Sequence, residues 1–182
     1  MSRKNKLLII FIVILIPLFH EIGHWCGYYI DGIQSNFNYG FIYTTQEIQG
    51  FYGILFGPLF NFLLSIIAII ILYINKRHKI FWSIISLSSA VWRLLNCLLI
   101  LFLSLFNKSI ILLNDEGKIA SLLHFSPYSI YALSIIVYIL ILFLIKRHIK
   151  NNNLYLNITL RIFIYNILIS VVLIILSKYI NN

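Results

Sequence analysis

Five apolar stretches dictate most of what this chain is able to fold into. Leu7 to Ile30, Phe51 to Ile74, Ile80 to Phe106, Tyr128 to Ile145 and Ile162 to Ser177 approach or exceed the about 20 helical residues needed to cross the hydrocarbon core of a bilayer. Backbone amides and carbonyls find no water there, so such runs satisfy one another as helix. Composition agrees. Of the 182 residues, 61% are hydrophobic and 10% charged, against roughly a quarter charged in soluble domains. The expected fold class is an all-α polytopic membrane protein, with about five transmembrane helices in one membrane domain over residues 1–182.

The basic residues are arranged as topology signals. Arg3, Lys4 and Lys6 precede the first span, Lys76, Arg77 and Lys79 separate the second and third, and Lys146, Arg147, Lys150 and Arg161 separate the fourth and fifth. Cytoplasmic loops carry the excess of Lys and Arg, which places the amino terminus in the cytoplasm of a multi-pass cell-membrane protein. Short clusters between apolar runs do not make the continuous basic stripe of a nucleic-acid partner, so the bilayer is the expected surface. Met1 to Phe19 has the basic and apolar regions of a signal peptide, but no small-residue cleavage site follows, so a retained first span is expected. Cys26 and Cys97 lie in apolar segments with no CxxC spacing and read as packing residues.

Polar groups stand out against this background. His20-Glu21-Ile22-Gly23-His24 falls inside the first span. Histidines at i and i+4 share one helix face and are able to ligate one Zn²⁺, while Glu21 between them sits where a general base would take a proton from water. Ionisable groups at membrane depth are costly and mostly functional. Counting rise per residue, His20, Asn61 and Arg93 each lie about 13 residues from the cytoplasmic end of their spans, or about 20 Å deep. Three polar side chains thus converge on one level. An arginine at that depth needs an acidic partner, and Asp115, Glu116 and Glu47 are the candidates.

Two further elements complete a pattern: Gly57-Pro58-Leu59-Phe60-Asn61 in the second span, and the stretch from Asn107 to Asp115. With HEIGH, they resemble the site-2 protease family of intramembrane zinc metalloproteases, in its GPxxN element and its Asn-to-Asp spacing. The resemblance covers residues 7–124, leaving 128–177 as additional transmembrane helices. It departs from the family in lacking the prolines before the aspartate and in reading Asp115-Glu116-Gly117 where Asp-Gly is usual. The resemblance implies one Zn²⁺ per chain, held by His20, His24 and Asp115, with Glu116 as the alternative acid. It also implies a transmembrane or membrane-associated protein or peptide as substrate, and a site open to the cytoplasm from a span that enters from outside. The basic residues imply the reverse sidedness.

A third ligand from Asp115 requires residues 110–125 to form a re-entrant or partly embedded element, tolerated where it lines a wet, protein-enclosed cavity. Asp31, seven residues past His24, would lie about 10 Å along the same helix and reads instead as a helix-ending turn. Asn61 is a neutral donor suited to a substrate backbone or an oxyanion, or to packing between helices. Gly57 and Pro58 would let the second span approach the first closely. In the 31–50 loop, Phe37 to Thr45 is rich in strand formers around a glycine and predicts a short β-hairpin whose edge would hold an unwound substrate. The expected function is intramembrane zinc-dependent peptide-bond hydrolysis, with Glu21 as base. The alternatives are a non-catalytic membrane protein of the same fold, partner-binding or immunity-type, and a zinc-handling transporter, which would want more acids or histidines along a path.

Overall fold

A computed structural model describes residues 3–38, 41–44, 50–75 and 78–180. The chain runs α1 (Arg3–Ile30), β1 (Ser35–Asn38), β2 (Phe41–Thr44), α2 (Phe51–Ile74), α3 (Lys79–Ser104), a 3₁₀ helix (Lys108–Leu112), α4 (Asp115–Leu122), α5 (Pro127–His148) and α6 (Asn152–Ile180). Among the described residues, five helices are long and apolar enough to cross a membrane: α1, α2, α3, α5 and the Asn152–Val172 part of α6. The molecule is a polytopic helical membrane protein. Its surface is inverted relative to a soluble protein. Phe11, Ile14, Ile67, Leu99, Phe102 and Phe143 point outward, while His20, His24, Asn61, Arg93, Glu116 and several serines are buried.

α3 is the most enclosed span, and it packs against α1, α2, α5 and α6. In lipid no hydrophobic force draws helices together, so close packing and hydrogen bonds must hold them. Ser65 of α2 and Ser86 of α3 each donate to the other's carbonyl, at 3.4 and 3.0 Å. The α1–α2 contact uses small residues instead. A Cβ on Gly23 or Gly27 of α1 would run into the Phe56 or Tyr52 carbonyl of α2, and one on Gly53 or Gly57 into the Tyr28 or His24 ring. Each helix therefore carries glycines four apart, facing its neighbour.

α1 ends in a Schellman turn, Ile33 N–H donating to Tyr28 O at 2.9 Å and Gly32 N–H to Tyr29 O at 3.2 Å. Gly32 supplies the positive φ of 70° that this turn needs. The hairpin pairs antiparallel from Ser35 opposite Thr44 to Asn38 opposite Phe41, starting two residues before the sequence expectation. α6 begins ten residues earlier than expected, so Arg161 lies within a helix. The reason is visible in its burial: Leu154, Ile158, Ile162 and Asn166 recur at helical spacing on the inner face, and this periodicity carries the helix through a polar start.

The segment after α3 does not leave the bundle. The 3₁₀ helix packs on α3, and α4 against α2 and α5, with Ile111, Glu116, Gly117, Ile119 and Ala120 buried. It matches the expected embedded element at 110–125. Gly117 is required here because a Cβ would strike the Ile111 carbonyl. Tyr131 of α5 donates to that same carbonyl at 3.2 Å.

Candidate metal centre

His20 and His24 project from consecutive turns of α1 toward α3 and α4. Their Nε2 atoms are 3.1 Å apart. Asp115, the first residue of α4, closes the group, with Oδ2 at 3.1 Å from His20 Nε2 and Oδ1 at 3.5 Å from His24 Nε2. This is the one group of three or more metal-ligating side chains found among the described residues. Residues 91 and 95 positions apart in the chain are thereby joined.

His24 Nδ1 lies 2.6 Å from the Gly53 carbonyl, which only accepts, so Nδ1 carries a proton; in the neutral form of that ring Nε2 presents a lone pair. His20 Nε2 lies between Arg93 Nη1 at 3.4 Å, which only donates, and Asp115 Oδ2 at 3.1 Å, which only accepts; a cation in the group would take its lone pair. On its other side, His20 Nδ1 meets the Asn61 amide at 3.3 Å. Asn61 Oδ1 is buried without a partner; turning the amide end for end would seat that oxygen on His20 Nδ1–H and leave the amide nitrogen in its place.

Two imidazole Nε2 atoms and a carboxylate therefore meet in one small volume. A tetrahedral zinc with bonds of about 2.0–2.1 Å separates its ligand atoms by about 3.3 Å, close to the 3.1 Å between the two Nε2 atoms and to the 3.1 and 3.5 Å from them to the two oxygens of Asp115. Charge fits as well. Asp115 and Glu116 set two carboxylates against the single guanidinium of Arg93, and the excess negative charge at low dielectric is what a cation beside the imidazoles would neutralise.

The sequence-predicted residues are thus placed as follows. His20, His24 and Asp115 meet; Glu21, between the histidines, is half-buried beside them. Glu116 does not join the imidazoles but pairs with Arg93. Asn61 is fully buried and its carbonyl accepts from Ser89 Oγ at 2.7 Å. Its side-chain amide lies 3.3 Å from His20 Nδ1. Asp31 accepts from Gly53 N–H at 2.6 Å, at the amino end of α2, where a carboxylate complements the helix dipole. Of Arg93's candidate partners, Glu47 lies outside the described residues, while Asp115 and Glu116 both engage it.

Sequence reasoning missed the carbonyl of Gly53 as the partner of His24. Its signal was the spacing of Gly53 and Gly57, opposite Gly23 and Gly27. Also missed was an open cleft between α1 and β1, lined by Trp25, Tyr29 and residues 32–36. Trp25 stands one turn past Glu21, so the cleft adjoins that face of α1. No family model, curated protein or solved structure matches this chain. The class that fold and site define is a multi-pass helical membrane protein with a buried, paired-histidine and carboxylate centre.

Proposed function

We propose that this protein is an intramembrane zinc metalloprotease, hydrolysing peptide bonds of a membrane-embedded or membrane-associated protein or peptide. One observation carries the reading: two imidazole Nε2 atoms one helix turn apart meet the carboxylate of a distant segment at metal-ligand spacing. His20, His24 and Asp115 would hold the ion, three protein ligands being the number that leaves a position open. When bound, zinc supplies a Lewis acid that brings the pKa of water toward about 7.

The chain's own groups do the rest. Glu21 accepts the proton that the attacking water gives up and delivers it to the leaving amine nitrogen, which balances the hydrolysis. Gly53 O and Asn61 fix the two ring orientations. A substrate helix hides its amides in internal hydrogen bonds, and the β1–β2 hairpin beside α1 offers strand edges on which an unwound segment is able to pair. The basic residues support an amino terminus in the cytoplasm of the cell membrane.

The test uses purified protein and a model transmembrane peptide. Wild type should contain about one zinc per chain and cleave the peptide. Glu21→Gln should keep the zinc and lose cleavage by about 10²–10⁴-fold. Undiminished cleavage by Glu21→Gln removes the assigned base, and zinc-loaded wild type without activity on any membrane peptide favours a non-catalytic, partner-binding role. Cysteines introduced through residues 31–50 should label from outside the cell; labelling from the cytoplasm alone reverses the topology.

A further inference from the structure

Arg93 and Glu116 are buried at 1% and 2% exposure. As a plain ion pair they would contribute little, because removing both charges from water costs about as much as their attraction returns, and apolar residues of the same volume usually serve as well. The pair is not isolated, however. Arg93 Nη2 donates to Glu116, while Nη1 donates to Asp115 Oδ2 at 3.2 Å and lies 3.4 Å from His20 Nε2. Glu116 is fixed through its other oxygen, which accepts from Asn114 Nδ2 at 3.0 Å.

We infer that Arg93 and Glu116 together are the positioning device of the metal centre: Glu116 anchors and neutralises the guanidinium, and the guanidinium holds the Asp115 carboxylate at the two imidazoles. The inference rests on the zinc reading above. A planar guanidinium has its two Nη groups in fixed relation, so fastening one aims the other. A carboxylate oxygen has two lone pairs, so Asp115 is able to keep its bond from Nη1 while facing a cation. Glu116 is needed because of charge. An unneutralised guanidinium beside the imidazoles would repel a divalent cation and claim Asp115 for itself, and a carboxylate at contact distance cancels that effect.

The test reads metal affinity rather than proteolysis. Full-length protein in detergent is titrated with cobalt(II), whose visible absorption reports both binding and coordination number. Glu116→Gln, close in shape, leaves the guanidinium unneutralised and should weaken cobalt binding by about 100-fold or more. The double variant Arg93→Gln, Glu116→Gln leaves the net charge unchanged; it should bind about 10–100-fold more weakly than wild type, with an altered band as Asp115 loses its orientation. Arg93→Lys keeps the charge but serves two carboxylates poorly and should lose about 10-fold. If Glu116→Gln fails to fold, the double variant decides; if that fails too, Arg93→Lys does. Wild-type affinity and spectrum, within about twofold in the folded variants, would make the pair a fastening between helices and overturn the inference. Wild type that binds neither cobalt nor zinc removes the metal reading itself, an outcome distinct from loaded wild type with insensitive variants.

Discussion

The two sides of the candidate centre are built on different principles. On the histidine side, two groups one turn apart on a 28-residue helix share a face by local geometry alone, and α2 braces both rings from behind, through Gly53 O and Asn61. On the acid side, Asp115 begins a helix of only eight residues, too short to persist unaided. Its position depends on Arg93, Gly117 and Tyr131, residues of three different elements. A stiff pair of candidate ligands thus faces one whose placement is a product of tertiary packing. The lesson is that changes on the first side remove ligands or tilt them, whereas changes on the second let a ligand drift.

The largest expected effect comes from the histidine side. His20→Ala or His24→Ala removes a proposed ligand, and metal affinity should fall on the order of a thousandfold or more. Metal analysis after dialysis against a weak chelator checks this. Retention of stoichiometric zinc by either variant would reduce the pair to packing histidines. The bracing groups come next. Asn61→Ala should cost about 10–100-fold in metal affinity, since it frees His20's tautomer and rotation. Gly57→Ala pushes a methyl group at the His24 ring; relief of such overpacking costs about 1–3 kcal/mol, so a comparable loss in affinity should follow. Thermal unfolding would separate these two, because Gly57→Ala also strains the α1–α2 interface, while Asn61→Ala leaves the helices seated. Equal metal affinity in wild type and both variants would mean that the rings need no bracing.

The same contrast explains what the chain disclosed before its structure was in hand. The spans were legible because bilayer thickness imposes a length on them, and the histidine pair because helix geometry converts i, i+4 into proximity. The convergence of Asn61 and Arg93 on His20 was legible as well, since both touch it. The start of α6 was not, since its asparagines mask an inner face of Leu154, Ile158 and Ile162 in any hydropathy average. Neither was the division of labour between Asp115 and Glu116. Adjacent acids are equivalent in sequence, and only the helical turn at α4 brings Asp115 to both the imidazoles and Arg93, and Glu116 to Arg93. Bracing by Gly53 O is illegible in principle from side chains, because the atom belongs to the backbone.

The smallest effect is the most discriminating one. Tyr131 is fully buried, and its hydroxyl donates to the Ile111 carbonyl at 3.2 Å, where the 3₁₀ helix, α4 and α5 meet. Tyr131→Phe leaves that carbonyl with a lost partner, at a cost of about 1–3 kcal/mol. In a chain of this size about 1 kcal/mol lowers the melting temperature by only about 2–4 °C. The strain falls, however, on the short element that carries Asp115. Metal affinity should drop about fivefold, and amide hydrogen exchange should quicken across residues 108–122 while α1 keeps wild-type protection. Faster exchange in α1 as well would mean that the two sides open together, and the acid side would then have no looseness of its own.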